Sequence, residues 1–316
     1  MVVLVDNSNI VNISFARGLA LLKDKAGKDP NFTLTDESYG FIFHMYVKKV
    51  MPIFKAYSDV VFLGEGKGST AWRKSKYPLY KANRGVKADA TEADKINHTY
   101  LIKLYNDCES FLNLFHTKVI RVENCEADDC MNSICRVLSS QGEEVRIISN
   151  DADLSQLQLF YKNVSQYNPI TQKEIIADEN ILLKKAIVGD SSDNIAGVPG
   201  IGPATFDKMM ADKAFYNKKM NPARQELVDL LLEIIDLRKF PKEYQDNIEK
   251  AWNETNWNTF DSTKVRNFFV DNGLRQCLNS WDFSDKAEIS SRLALDNKEE
   301  NNIKSAEEEI LEILNS

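Results

Sequence analysis

Residues 119–139, VIRVENCEADDCMNSICRVLS, carry the pattern that decides the fold. The β-branched run at 119–122 predicts a buried strand, and residues 128–139 have the apolar spacing of a helix. Three acids, Glu126, Asp128 and Asp129, lie where the strand gives way to the helix. The segment therefore predicts one strand–helix unit of an α/β protein, with carboxylates just beyond the end of the strand.

The same alternation of short β-branched runs and longer helical patterns recurs through the first half of the chain. The further predicted elements are strands at 2–5, 60–63, 145–148 and 164–167 and helices at 40–57 and 93–115. Strands that alternate with helices form parallel sheets with helices on both faces. We therefore expect an α/β domain over residues 1–180, with a mostly parallel central sheet flanked by helices.

From about residue 180 onward the strand signals stop. The predicted helices of this part lie at 181–188, 203–210, 225–238 and 263–271. We expect them to form a smaller all-helical domain over residues 181–290. Residues 291–316 are predicted to be a polar linker and a C-terminal helix with a capping box at Ser305 and Glu308. That helix either docks onto the body of the protein or binds a partner.

The composition excludes several classes of protein. The 316 residues are 43% hydrophobic, yet no apolar run approaches the ~20 residues of a membrane helix. The first residues predict a strand and not a signal peptide. The five cysteines follow no zinc or iron–sulfur spacing, which indicates reduced thiols in a cytoplasmic protein. We expect a monomer without membrane contact.

Positive charge is concentrated in one segment, although the net charge of the chain is −7. Residues 66–88 contain seven cations and no acid; the cations are Lys67, Arg73, Lys74, Lys76, Lys81, Arg84 and Lys87. Trp72, Tyr77 and Tyr80 interleave with them. Cations that neutralise phosphates beside rings that stack on bases are typical of a grip on single-stranded nucleic acid. A charged, solvated helix is the alternative interpretation.

Acidic residues follow the predicted strands at one edge of the sheet, because the carboxyl ends of parallel strands meet there. Two more acids lie at the junction with the helical domain. The full set is Asp6, Glu65, Glu126, Asp128, Asp129, Asp151, Asp153, Asp190 and Asp193. So many like charges need compensation, and oxygen-only ligands favour two Mg²⁺ ions, for which Mn²⁺ can substitute. Each acid by itself is equally compatible with an ordinary helix cap or loop residue.

A calcium loop at 151–162 is a competing interpretation that the sequence excludes. Its sixth position is Gln156 and its twelfth is Lys162, where such a loop needs glycine and glutamate.

A glycine-rich turn, GVPGIGP at 197–203, follows the last pair of acids and precedes a predicted helix that carries Lys208. Glycine lets the backbone approach a ligand closely, and free N–H groups at a helix start bind phosphate without reading sequence. Gly197, Gly200, Ile201 and Gly202 are therefore candidate contacts to nucleic acid. A plain tight turn between helices is the alternative.

In their order along the chain, these motifs resemble the 5′-nuclease superfamily of flap endonucleases, 5′ nuclease domains of bacterial DNA polymerases and phage 5′→3′ exonucleases. The resemblance covers roughly residues 1–275. It rests on LVD at 4–6, YKANR at 80–84, EADD at 126–129, NDAD at 150–153, GDSSDNI at 189–195 and the turn at 197–206. In length and layout the chain is most similar to the ribonucleases H of T-even bacteriophages, which implies a phage origin.

The resemblance implies a PIN-like, 5′-nuclease fold with a helix–three-turn–helix motif at about 190–210 and a basic gateway segment at 67–90. It implies a Mg²⁺-dependent 5′→3′ exonuclease and 5′-flap endonuclease with ribonuclease H activity, which removes RNA primers and flaps during replication. It places Asp6, Glu65, Glu126 and Asp128 around a first ion. It places Asp151, Asp153, Asp190 and Asp193 around a second ion.

The resemblance also implies roles for the basic residues. Lys81 and Arg84 would stabilise charge on the phosphate, and Tyr80 would stack on the unpaired base. The expected nucleic-acid contacts are Arg73, Lys74, Lys76, Lys87, Gly197, Gly200, Ile201, Gly202 and Lys208. A potassium ion at the glycine turn is also implied. One residue departs from the pattern: the family has aspartate where this chain has Glu65, whose longer side chain has a different reach.

The implied partner is a nucleic acid with a 5′ end or flap, either duplex DNA or an RNA–DNA hybrid. A single-strand-binding protein or a sliding clamp would be a further partner, in the cytoplasm of a host cell if the origin is a phage. Two other classes stay open. One is a non-catalytic protein that binds DNA structures on the same scaffold. The other is a small single-strand ribonuclease of the PIN type, although such chains are shorter and lack the helical domain.

Overall fold

A computed structural model describes residues 1–84 and 90–280 of the chain. Its centre is a six-stranded sheet in the order β3-β2-β1-β4-β5-β6. The strands are β1 (Val2–Asp6), β2 (Val60–Gly64), β3 (Thr117–Arg121), β4 (Val145–Ile148), β5 (Val164–Asn168) and β6 (Lys173–Ile175). The first five strands are parallel and β6 pairs antiparallel to β5. The predicted mostly parallel central sheet is confirmed.

Thirteen α-helices surround this sheet in the described part of the chain. They are α1 (Asn7–Lys25), α2 (Asp36–Ala56), α3 (Ala71–Lys76), α4 (Glu92–Leu112), α5 (Ala127–Ser140), α6 (Gln156–Phe160), α7 (Ile181–Val188), α8 (Pro203–Ala211), α9 (Lys213–Lys219), α10 (Pro222–Ile235), α11 (Lys242–Glu254), α12 (Ser262–Asp271) and α13 (Arg275–Ser280). No described helix has the length and apolar character needed to cross a bilayer.

The order of the strands creates a switch point beside β1. From β1 the chain moves to β2 and β3 on one side, and then returns to place β4 and β5 on the other side. Ligands of open α/β sheets bind beyond the carboxyl ends of the strands at such a point. Asp6 is the last residue of β1, so it lies at this position.

Three hydrophobic cores hold the elements together. The first lies between the sheet and helices α1, α2 and α4, and the second covers the other face of the sheet beneath α5. The third joins α7, α8 and α10. Val265 and Phe269 of α12 belong to the first core, and Ile248 of α11 belongs to the second. The predicted helical region 181–290 is thus shared among all three cores, and its boundary as a domain stays a prediction.

Several elements differ from the sequence-based prediction. Strand β6 and helices α1, α6, α9, α11 and α13 had not been predicted. The first turn of α1 reads Asn-Ser-Asn, which weakens its helical pattern, but the carboxylate of Asp6 caps it by accepting the Asn9 N–H at 2.9 Å. Strand β3 begins two residues earlier than predicted and ends at Arg121. The predicted C-terminal helix with Ser305 and Glu308 lies outside the described residues.

Candidate active site

The carboxyl edge of the sheet carries acids at the end of β1 and after β2 and β4, and Asp128 at the start of α5 follows β3. Asp6 ends β1, and its second carboxylate oxygen accepts the Ser149 hydroxyl at 3.3 Å. Glu65 follows β2 and accepts the Ser69 hydroxyl at 2.8 Å. Asp151 follows β4 and accepts the backbone N–H of Asp153 at 2.9 Å. The predicted convergence of acids after successive strands is therefore what the fold produces.

Asp6, which is buried, and the half-buried Asp128 and Asp151 form a group of mutually repelling carboxylates that we call the central acids. Burial, together with repulsion from Asp151 and Glu65, raises the pKa of Asp6 to about 7. Burial, followed by Asp151 and Asp6, raises the pKa of Asp128 well above its usual value. Within residues 1–84 and 90–280, no Lys or Arg nitrogen pairs with a central acid within 4.0 Å. The central acids therefore carry uncompensated negative charge whenever they are all ionised.

Asp153, Asp190 and Asp193, which we call the junction acids, form a second group. One oxygen of each lies within 4.8 Å of the others. The Nζ of Lys185 contacts all three: it binds Asp153 closely, Asp190 at 2.9 Å and Asp193 at 2.7 Å. Burial opposes ionisation of Asp190, but the bonds from Lys185 and Ser192 prevail and lower its pKa to about 2. Lys185, which the sequence did not identify, compensates this group.

This grouping differs from the one implied by the resemblance. Asp151 interacts electrostatically with Asp6 and Asp128 as well as with Asp153, so it stands between the two groups. Glu126 had been expected among the ligands of the first ion. Its two carboxylate oxygens already accept hydrogen bonds from the Lys81 ammonium and the Tyr80 hydroxyl.

Glu126 and Asp129 belong to a buried network at the start of α5. The guanidinium of Arg73 donates to both oxygens of Asp129, at 2.6 and 2.9 Å, and lies 2.8 Å from Glu126. Its Nε donates to the backbone oxygen of Ile234 at 2.9 Å. Glu126 also accepts from Lys81 Nζ at 2.5 Å and from the Tyr80 hydroxyl at 2.9 Å. These two acids therefore hold cations in place.

Two predicted roles are contradicted by burial. Arg73 is 2% exposed and its nitrogens bind protein oxygens, so it is not placed to contact a phosphate. Tyr80 is 4% exposed and packs in the third core, so its ring is not available for stacking on a base. Both residues belong to the basic segment, whose cations and aromatic rings are typical of a nucleic-acid-binding surface. The fold shows that these two side chains point inward.

Of the other predicted basic residues, Lys81 is buried with 8% exposure, and the remaining described ones are more accessible. Lys74 is exposed, Lys76 is exposed and pairs with Glu233 at 2.8 Å, and Lys208 is exposed on α8. The side chain of Arg84 is 50% exposed and its Nη2 lies 3.0 Å from Asp193. Lys87 lies outside the described residues. A cleft of about 450 Å³ beside Glu65 is lined in part by Lys74, Lys81, Arg84, Arg121 and Tyr105.

The basic segment is fastened to the loop that carries Asp190 and Asp193. The backbone N–H of Lys81, which has a φ of 51°, donates to the Asp193 carbonyl at 2.8 Å. The side chain of Asn83 donates to the Ser191 carbonyl at 3.0 Å, and that of Asn194 donates to the Leu79 carbonyl at 2.7 Å. Lys81 and Arg84 are therefore held at the junction acids by backbone contacts.

The glycine turn closes tightly on the end of α7. Gly197 has a φ of 67°, and a Cβ there would lie 2.5 Å from the backbone nitrogen of Gly189. Only glycine fits this contact. Ile201 is buried in the third core, whereas Gly200 and Gly202 are exposed, and Gly202 caps α8. The turn thereby presents exposed backbone next to the junction acids.

The raised pKa values predict how divalent ions stabilise the protein at different pH. A carboxyl with a raised folded-state pKa is ionised in the unfolded chain before it is ionised in the folded protein. Its destabilising effect is absent below the unfolded pKa, grows as pH rises, and is complete above the folded pKa. For Asp6 that upper limit is about 7.

An ion bound at the central acids would remove this penalty and displace their protons. We expect Mg²⁺ to raise the melting temperature more at about pH 8 than at about pH 6. Thermal melts with Mg²⁺ and with chelator at both pH values measure this difference. An equal or larger effect at the lower pH would contradict the electrostatic assignment.

Comparison with known proteins gives the family. Residues 1–186 match the family described as "5'-3' exonuclease, N-terminal resolvase-like domain". The flap endonuclease of Escherichia phage T5 is 33% identical over 172 residues, which are 50% of this chain and 57% of that protein. DNA polymerase I of Bacillus caldotenax is 28% identical over 220 residues, which are 66% of this chain and 23% of that protein.

A solved structure of T5 5'-exonuclease with bound zinc matches with 20% identity and a TM-score of 0.48 over 99% of both chains. The chain spans only 14% to 24% of the first four DNA polymerases that it matches. The narrower similarity to ribonucleases H of T-even phages stays a prediction. The family match, however, covers more than half of the chain, and the chain therefore belongs to the 5'-3' exonuclease family that has this N-terminal resolvase-like domain.

Proposed function

We propose that this protein is a Mg²⁺-dependent 5′→3′ exonuclease and 5′-flap endonuclease. The observation that carries the proposal is the pair of acid groups at the carboxyl edge of the sheet, next to a cleft lined by four cations. Acids of this kind are typical of two-ion phosphodiester hydrolysis, and the cations match the charge of a nucleic-acid backbone.

The donor set fits hard divalent ions. All six central and junction acids offer oxygen, which Mg²⁺ and Mn²⁺ prefer. The junction oxygens are close enough together to share one ion. Burial and neighbouring carboxylates raise the pKa of Asp6 and of Asp128, and a bound cation would relieve that repulsion. Bound ions would supply an activated water and stabilise the charge on the leaving oxygen. Glu65 borders the central acids and would complete that set.

Lys81 and Arg84 would stabilise the negative charge that grows on the phosphate. Glu126 holds the Lys81 ammonium, and the backbone bond from Lys81 to Asp193 fixes where it lies. Burial opposes the charge on Lys81, but Glu126 and Asp193 keep its pKa above the ordinary value, so it stays a cation. Because these contacts exist before substrate binds, little reorganisation is needed.

Duplex binding is assigned to the exposed Gly200 and Gly202 of the turn and to Lys208 on α8, whereas Gly197 and Ile201, also predicted as contacts, are buried. Exposed backbone at the start of a helix attracts phosphate without selecting a base. Lys74 would contact the strand in the cleft. Substrate choice would then follow the shape of a duplex with a free 5′ strand, on DNA or on an RNA–DNA hybrid. A potassium ion at the turn, ribonuclease H activity and primer removal during replication are part of the same proposal, as are single-strand-binding or clamp partners.

Incubation of a 5′-flap duplex with and without Mg²⁺ tests the function. We expect products with a 5′-phosphate at the flap junction when Mg²⁺ is present and intact substrate in chelator. The alternative of a non-catalytic structure-binding protein predicts tight binding with no cleavage in Mg²⁺ or Mn²⁺. A second substrate, an RNA–DNA hybrid with a 5′ end, reports separately on ribonuclease H activity.

A further inference from the structure

Lys185 occupies an unusual place for a lysine. It projects from α7 into the junction acids, where its Nζ contacts a carboxylate oxygen of Asp153, of Asp190 and of Asp193. One carboxylate oxygen from each of these same three acids lies close enough to the other two to hold one metal ion. The ammonium is thus placed at the centre of a candidate cation site, and it is nearly buried there.

The central acids offer a clear contrast. In the described chain, Asp6 accepts from the Asn9 N–H and the Ser149 hydroxyl, and Asp151 accepts from the Asp153 N–H. No ammonium or guanidinium group there lies within 4.0 Å of a central acid. An ion that approaches the central acids therefore meets carboxylates to which no lysine or arginine of the described chain is bonded. An ion that approaches the junction acids meets three carboxylates and one fixed positive charge.

We infer that Lys185 is a built-in competitor of the second metal ion. This inference rests on the proposed divalent-ion dependence. The ammonium neutralises the junction acids when that ion is absent, and it must withdraw or be repelled when the ion binds. The two ion sites are therefore unequal: the central acids bind their ion tightly, and the junction acids bind theirs weakly. The second ion is retained when substrate phosphate adds negative charge.

A different role for Lys185 leads to the opposite expectation. If the ammonium mainly holds three repelling carboxylates in a ligand-like arrangement, its removal spreads them apart and weakens the second ion. If it competes, its removal leaves three uncompensated carboxylates and strengthens the second ion. The sign of the change in affinity therefore decides between competition and positioning.

The experiment is a Mn²⁺ titration of the full-length protein without nucleic acid, with free Mn²⁺ measured by its electron paramagnetic resonance signal. We expect one tight and one weak ion in the wild-type protein. In Lys185→Met the second ion should bind roughly 10- to 100-fold more tightly, with the first unchanged. Lys185→Gln, whose amide can still donate to the carboxylates, should show the same direction. Lys185→Arg keeps the charge and should resemble the wild type.

Lys184→Met is the matched control, because Lys184 is the exposed neighbour on the same helix and its loss changes the net charge equally. Melts in chelator establish that each variant is folded. Unchanged or weaker binding of the second ion in both Lys185→Met and Lys185→Gln would overturn the inference. So would two equally tight ions in the wild type. A wild-type protein that binds no Mn²⁺ would instead count against the proposed function itself.

Discussion

Asp128→Asn should abolish flap cleavage while leaving the fold and flap binding intact. Asp128 sits among the central acids, where burial and the charges of Asp151 and Asp6 raise its pKa. Asparagine keeps the shape but offers a neutral, weaker ligand, and it cannot help to neutralise a divalent ion. We expect the single-turnover rate to fall at least ~1000-fold, since an ion that stabilises the transition state contributes several kcal/mol.

The same substitution should stabilise the metal-free protein, because it removes a source of repulsion between buried carboxylates. A higher melting temperature in chelator, combined with lost cleavage, separates a catalytic defect from unfolding. Flap affinity measured in chelator should stay within about 2-fold of the wild type, because Asp128 makes no contact in the proposed phosphate grip. Glu123→Gln, at an exposed acid on the loop that precedes α5, makes the same change of charge and should cleave normally. Full activity in Asp128→Asn would refute the assignment.

Arg73→Met should cause the largest loss of stability among single substitutions at the site. Arg73 is buried against Glu126 and Asp129, so its removal leaves two buried carboxylates with less compensation. Breaking a buried ion pair from one side costs about 3–5 kcal/mol. The substitution also removes the hydrogen bond that Arg73 Nε donates to the Ile234 carbonyl. Denaturant unfolding in chelator measures the free energy of unfolding directly.

Lys76→Met provides the comparison, because Lys76 makes an exposed ion pair with Glu233 at 2.8 Å on the same short helix. That change should cost no more than about 1 kcal/mol. Arg73→Lys should fall between the two, since lysine keeps the charge but cannot bond both oxygens of Asp129 in a fork. A loss in Arg73→Met that is no larger than in Lys76→Met would show that the buried network contributes little to folding.

The fold and the set of acids could be predicted from the sequence because both depend on local pattern. Strands β1, β2 and β4 are β-branched runs that end at or just before an acid, and the parallel arrangement then places those acids at one edge. The glycine turn was visible for a similar reason, because Gly197 and Gly200 mark positive φ angles.

The direction of individual side chains could not be predicted in the same way. Arg73 and Lys74 are adjacent in a basic segment, yet one is buried against Asp129 and the other is exposed. Lys184 and Lys185 show the same ambiguity on α7. Which of two neighbouring cations points inward depends on contacts with residues more than fifty positions away, or on how a helix is rotated. The local sequence pattern predicts neither of these two factors.

The positions of the acids along the chain determine when the site can form during synthesis of the protein. All three central acids are present in the chain once Asp151 has been added. The junction acids are complete only after Asp190 and Asp193 have been added. The backbone carbonyl that accepts from Arg73 belongs to Ile234, which is added later still. Under the proposed function, a nascent chain therefore cannot assemble both acid groups until Asp193 has been added.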